Sequence, residues 1–88
     1  MGTLTKIEKA LDNGRPVRIA YVKPDGERSQ RTLEVYEIKI SKAGDVYVRA
    51  LDKNKGASRS FRIDRIVSAT IQRGRVSLLT RMRVKGIR

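Results

Sequence analysis

Leu4, Ile7 and Leu11 recur at helical spacing, with Ala10 beside them, and predict a short helix over residues 3–13. Thr5 and Glu8 stand at capping-box spacing, and Thr3 is an equally good N-cap. Asn13-Gly14 supplies a C-terminal stop, with Pro16 just beyond. A helix this short is marginal alone, so its apolar stripe must pack on something. From Val17 the period changes to two. Val17, Ile19 and Tyr21 alternate with Arg18 and Ala20 and predict a first strand. Pro24-Asp25-Gly26 is a turn, because Pro pre-sets φ and Gly tolerates positive φ. A long second strand is expected over residues 30–40. Its apolar parity switches midway, from Leu33 and Val35 to Ile38 and Ile40, which predicts a bulge or sharp bend. After the turn at residues 41–45, Val46, Val48 and Ala50 face one side of a third strand, with Tyr47 and Arg49 on the other. The polar turn Lys53-Asn54-Lys55-Gly56 leads to a fourth strand anchored by Phe61 and Ile63. Asp64-Arg65 interrupts it, and Val67, Ala69 and Ile71 mark a fifth.

One helix followed by five short strands, the second strongly bent, suggests a mainly β domain: a small SH3-like or Sm-like five-stranded β-barrel with an N-terminal helix. An open β-meander with a helix on one face gives the same pattern. Residues 73–88 differ in character. Val76, Leu78, Met82 and Val84 share one parity, and Arg75, Arg81, Arg83 and Lys85 share the other. This basic C-terminal extension is expected to be an extra strand, pairing with the barrel edge or with a second subunit; the alternative is a frayed terminus. A homodimer through the extension is one arrangement it allows.

Composition changes the picture mainly through charge. The 88 residues carry a net charge of +12, from 21 Lys and Arg against 9 Asp and Glu. That excess points to a polyanion such as DNA or RNA, with a merely well-solvated basic surface as the alternative. Cysteine and histidine are absent, which removes disulfides, thiolate or imidazole metal sites and His-based triads. No apolar h-region and no run approaching the ~18 apolar residues of a membrane span is visible. A cytoplasmic protein with no membrane association is expected. No nucleophile–base pair, Gly-rich phosphate loop or metal cluster stands out, so no enzymatic activity, metal or cofactor is expected.

The chemistry concentrates on Val46–Asp52 and Arg59–Ile66, where Tyr47 sits among arginines. Arginine forks bind phosphate in two-pronged fashion, and a tyrosine face adds ~1–3 kcal/mol per stacked base. Arg31 and Arg62 are expected as ligand contacts, because nearby acids are few. Arg65 is either a ligand contact or paired with Asp64, Glu34 or Glu37. Tyr47 either packs on a neighbour or stacks on a base, whereas Tyr21 and Tyr36 read as structural. Val46, Val48, Phe61, Ile63 and Ile66 read as core, and Asp64 as an acceptor for a backbone turn or an arginine. Arg75, Arg81, Arg83 and Lys85 are expected as non-specific phosphate contacts.

From Leu4 to Ile71 the chain resembles the WYL domain family of prokaryotic and phage proteins. LTKIEKALDNGRPVRIAYV looks like the family's lead-in helix and first strand, and SQRTLEV aligns with its S-x-R-x-V-x-P element. Val46-Tyr47-Val48 stands where the name-giving Trp-Tyr-Leu lies, and RSFRIDRI is very close to R-x-F-R-L-D-R-I. Val46 replaces the tryptophan, and Val35 replaces the proline. The resemblance implies an Sm-like, SH3-type barrel over residues 1–72, followed by the basic extension at 73–88. It also implies a ligand-sensing or nucleic-acid-binding module of the kind found in bacterial regulators, here as a stand-alone unit. By position, Ser29, Arg31, Tyr47, Arg59, Arg62 and Arg65 occupy the polar places of the family motif. The expected function is therefore binding of single-stranded nucleic acid. The alternatives are docking on an acidic protein partner, or sensing of a nucleotide-type ligand.

Overall fold

The apolar stripe of the first helix, α1 (Thr3–Asn13), buries Ile7, Ala10 and Leu11 against the sheet. The computed structural model describes residues 2–87. Lys6 N–H donates to the Gly2 carbonyl, which starts the helix at Gly2 with no side-chain cap, so neither threonine plays the expected capping role. At the other end Gly14 adopts φ 62°, and Gly14 and Arg15 N–H donate to the Leu11 and Ala10 carbonyls. This is a Schellman motif, which needs a left-handed residue at Gly14. Gly14→Ala is expected to cost about 1 kcal/mol, from the Cβ penalty at positive φ; the check is the urea midpoint.

Strands β1 (Val17–Val22), β2 (Arg28–Ile40), β3 (Val46–Asp52), β4 (Ala57–Arg62) and β5 (Ile66–Ile71) form a sheet in the order β4-β3-β2-β1-β5, all neighbours antiparallel. A single 3-10 turn, Ile63–Arg65, joins β4 to β5. The predicted parity switch is a bulge: Val35 pairs with Ala50 and Glu37 with Arg49, so Tyr36 is the extra residue. It lets Leu33, Val35 and Ile38 all reach the core. A second bulge corrects the expected parity of β5. Ala20 pairs with Ser68 and Tyr21 with Ile66, so Val67 is the surplus residue and half exposed, while Ile66 and Ala69 face inward.

The sheet curls strongly. In a flat sheet β1 and β4 would lie roughly 14 Å apart, with two strands between them. Instead the Tyr21 and Phe61 rings meet edge-on with centroids 5.1 Å apart. No strand pairing among the described residues joins β4 to β5, because the 3-10 turn diverts the chain between them. The sheet is therefore open where a closed five-stranded barrel was expected.

The extension also departs from expectation. It is a six-residue helix, α2 (Leu78–Arg83), followed by a two-residue strand, β6 (Gly86–Ile87), not one long strand. Ser77 caps α2 by accepting from Thr80 N–H at 3.4 Å, and Leu, Met and Arg are good helix formers. β6 runs parallel to β2 at Glu37 and Ile38, the stretch of β2 that reaches beyond its pairing with β1. With the extension in place, β2 is buried on both faces from Leu33 to Ile38.

Candidate functional site

Strand alternation carries the core face outward to one mouth of the curled sheet. Val17, Ile19 and Tyr21 face inward on β1, and their partners Leu33, Arg31 and Ser29 share that face on β2. On β3 the inward residues are Val48, Ala50 and Asp52; on β4, Phe61 and Arg59 lie opposite Val48 and Ala50. Polar side chains thus continue an apolar series at the mouth. They surround a cleft of about 450 Å³ lined by Tyr21, Lys23, Ser29, Arg31, Arg59 and Phe61, among others.

Asp52 does not line the cleft but pairs with the two arginines that do. The residue is 0% exposed, and Oδ2 lies 3.8 Å from Arg31 Nη1 and 3.6 Å from Arg59 Nη1. Both are ion pairs longer than hydrogen bonds. Oδ1 accepts from Asn54 N–H at 3.0 Å, which ties the β3–β4 turn to the carboxylate. Asn54 in turn accepts from Thr32 N–H. Asp52 Oδ2 and the Ser29 hydroxyl are buried without a hydrogen-bond partner. Arg59 also lies over the Phe61 ring, 5.7 Å from its centroid. The cleft therefore offers two guanidinium groups, a serine hydroxyl and two aromatic rings.

The expected binding set divides in two. Ser29, Arg31 and Arg59 come together here. Tyr47 and Arg62 pair across β3 and β4 on the opposite face of the sheet, with the Arg62 guanidinium 5.8 Å from the Tyr47 centroid. Acids near Arg62 are not few. It donates to Asp64 at 2.9 and 3.1 Å and to Asp45 at 3.3 Å. The Asp64 hydrogen bonds and charge, then Asp45, push Arg62 up, and Arg62 holds the Asp64 carboxyl below the usual carboxylate range. Arg65 sits in the 3-10 turn, where its charge helps Arg62 hold the Asp64 carboxyl down, while the Glu34 carboxylate is taken by Ser77, Thr80 and Lys53. In the extension, Arg75, Arg81 and Lys85 are exposed, whereas Arg83 donates to the Ser58 hydroxyl at 2.7 Å and lies over Tyr36. Tyr21, Lys23, Pro24, Asp25 and Phe61 line the cleft and Asp52 pairs with its two arginines; sequence reasoning placed none of them in the binding set. The signal for Asp52 was its parity: it extends the inward series of Val48 and Ala50.

The chain is a helix-backed, curled β-sheet with a cleft at its mouth whose arginines pair with a buried carboxylate. The WYL domain family model matches residues 2–71, and the chain belongs to that family. Among solved structures it is similar to Proteasome accessory factor B/C (PafBC) of Arthrobacter aurescens. The TM-score is 0.70 and the identity 26%, over 77% of this chain and 11% of that one. The chain thus spans only about a tenth of that protein's length. No curated protein matches. The run RSFRIDRI has a structural logic here: Arg59 and Phe61 face the cleft, while Arg62 turns outward to Asp64. Val46, in the tryptophan's place, packs half-buried against the core. No helix among the described residues is long and apolar enough to cross a membrane.

Proposed function

We propose that this chain is a regulatory WYL-type module that binds single-stranded nucleic acid at the mouth of its curled sheet. One phosphate is held by Arg31, Arg59 and the Ser29 hydroxyl, and the adjoining base or sugar lies against Tyr21 and Phe61. The observation that carries this reading is the buried, unpartnered Ser29 hydroxyl beside two arginines held on one carboxylate by long ion pairs. An arriving phosphate gives all three groups short, charge-assisted partners. The net charge of +12 favours a polyanion, and likeness to a domain of PafBC fits a regulatory role. The proposal assigns binding and not catalysis, and a cytoplasmic site of action. Residues 1–72 form the binding unit. Arg75, Arg81 and Lys85 add non-specific phosphate contacts, and Tyr47, Arg62 and Arg65 lie outside the cleft.

A second reading, a nucleotide-type ligand in the same cleft, is favoured by its volume, which lies in the small-molecule range. Fluorescence anisotropy with single-stranded DNA, single-stranded RNA and duplex DNA across a salt series separates the two. Single strands are expected to bind more tightly than duplex, with a log–log salt slope of about −0.7 per phosphate engaged. Tight binding of a mononucleotide, with no gain from a longer strand, would favour the sensor. Duplex binding equal to single-strand binding would sink the proposal.

A further inference from the structure

Helix α2 is amphipathic the wrong way round. Thr80 points at β2 and is 1% exposed, whereas Leu78 and Met82, on the opposite side, are 65% and 76% exposed. The inversion is built in. The Thr80 hydroxyl and the Ser77 hydroxyl donate to the buried Glu34 carboxylate at 2.7 and 2.8 Å. The helix cannot roll its leucines inward without stripping that carboxylate of its donors. Leu79, Val84 and Ile87 are also about half exposed, so the extension carries five large apolar side chains open to solvent. Clustered exposure of this kind marks an interaction surface. Beside it runs a groove of about 610 Å³ lined by Tyr36, Arg49, Ser58, Met82, Arg83 and Lys85. Its one acid, Glu37, is buried.

We propose that the α2–β6 face docks an acidic segment of a partner protein, its apolar side chains seated on Leu78, Leu79 and Met82 and its carboxylates on Arg49, Arg81 and Lys85. Charge decides the occupant. No acid follows Asp64 in the chain, so every side-chain charge the extension itself carries, on Arg73, Arg75, Arg81, Arg83, Lys85 and Arg88, is basic, and the groove beside it adds Arg49. A second copy would bring those like charges together, which interfaces avoid. Met82 belongs to both the patch and the groove, which Arg49, Arg83, Val84 and Lys85 also line, so a peptide with an apolar anchor can span the two where a flat lipid surface cannot enter the groove. This face is separate from the cleft at the sheet's mouth, and it shares only Arg81 and Lys85 with the non-specific phosphate contacts proposed above.

The test is selection of a random displayed 12-residue peptide library on the immobilised full chain, then anisotropy with the enriched peptides. Leu78→Gln/Met82→Gln changes two exposed positions, keeps helix-forming residues and leaves the Glu34 contacts intact; a thermal melt confirms folding. Enriched peptides are expected to combine Asp or Glu with large apolar residues. They are expected to bind the variant at least tenfold more weakly, while single-stranded DNA binds both proteins equally. Peptides that bind wild type and variant alike, or whose binding is abolished only in Arg31→Gln/Arg59→Gln, overturn the proposal. So does a wild-type dimer in sedimentation that the variant abolishes, or capture of wild type by phosphatidylglycerol vesicles with no peptide enriched.

Discussion

Arg31→Gln/Arg59→Gln is expected to bind single-stranded DNA at least about 100-fold more weakly than the wild type. Each arginine gives a charge-assisted hydrogen bond to phosphate of about 1.5–3 kcal/mol, and about 1.4 kcal/mol is tenfold in affinity. The salt slope should become shallower by about 0.7 for each phosphate that the variant no longer neutralises. The two positions differ in their structural cost. Arg59 is 45% exposed and its loss leaves Asp52 still facing Arg31, so Arg59→Gln alone should change binding with little change in stability. Arg31 is 12% exposed, and its removal leaves the fully buried Asp52 carboxylate short of a cation, so the double variant should also melt earlier. A urea titration beside the anisotropy measurement separates the two effects. Arg62→Gln is the contrast: Asp45 and Asp64 already occupy that guanidinium, and binding should change by less than about threefold. If Arg62→Gln weakens binding as much as the double substitution, the ligand lies on the Tyr47 face and not in the cleft.

That contrast marks how far sequence reasoning reaches. Period-two alternation is a local property, and it placed Phe61, Val48 and the β2 bulge well, because each inward residue must bury itself. The same alternation also carries Arg31, Ser29, Asp52 and Arg59 to one mouth. Seeing them together requires the strand pairings Tyr21↔Ser29 and Ala50↔Arg59 and the curl that brings Tyr21 to Phe61. Those are long-range facts that no window of sequence contains. Arg62 shows the opposite failure. Asp64 is two residues away and visible, but Asp45 arrives only because β3 pairs with β4. Tyr47 and Arg62 were grouped with the other arginines by motif order, although odd and even positions of a strand look to opposite sides. The extension was misread for a different reason. Leu78 and Met82 are four apart, a spacing that satisfies a period of two and a helical turn alike. The capping hydroxyl of Ser77 was the distinguishing signal.

Glu34→Ala is expected to destabilise the protein by roughly 3 kcal/mol, from three hydrogen bonds to an ionised acceptor at about 1 kcal/mol or more each. Glu34 is 2% exposed, and its Oε1 accepts from the Thr80 hydroxyl, the Ser77 hydroxyl and Ser77 N–H at 2.7, 2.8 and 3.2 Å, with Lys53 3.8 Å from Oε2. Apart from the two-residue β6 ladder, these bonds are the main polar anchor of the extension on β2. For a domain whose whole stability is on the order of 5–15 kcal/mol, that loss is large. The substitution should also free the extension before the rest. Amides of Thr80 and of Lys85, whose N–H donates to the Tyr36 carbonyl, should exchange faster than those of β1 and β3. The pH dependence has a definite sign. Burial works to raise the carboxyl, but the Thr80 and Ser77 donors and the Lys53 charge outweigh it, so Glu34 titrates below its ordinary value of 4.5. The unfolded chain then takes up this proton at higher pH than the folded one does. The Glu34 contribution is therefore complete above the ordinary value and lost as pH falls through the folded one. Wild type should lose stability more steeply than Glu34→Gln as the solution is acidified below about 4.5, where unfolded glutamate protonates. Parallel pH profiles for the two proteins, or equal exchange of the Thr80 amide in wild type and Glu34→Ala, would show that the carboxylate does not hold the extension in place.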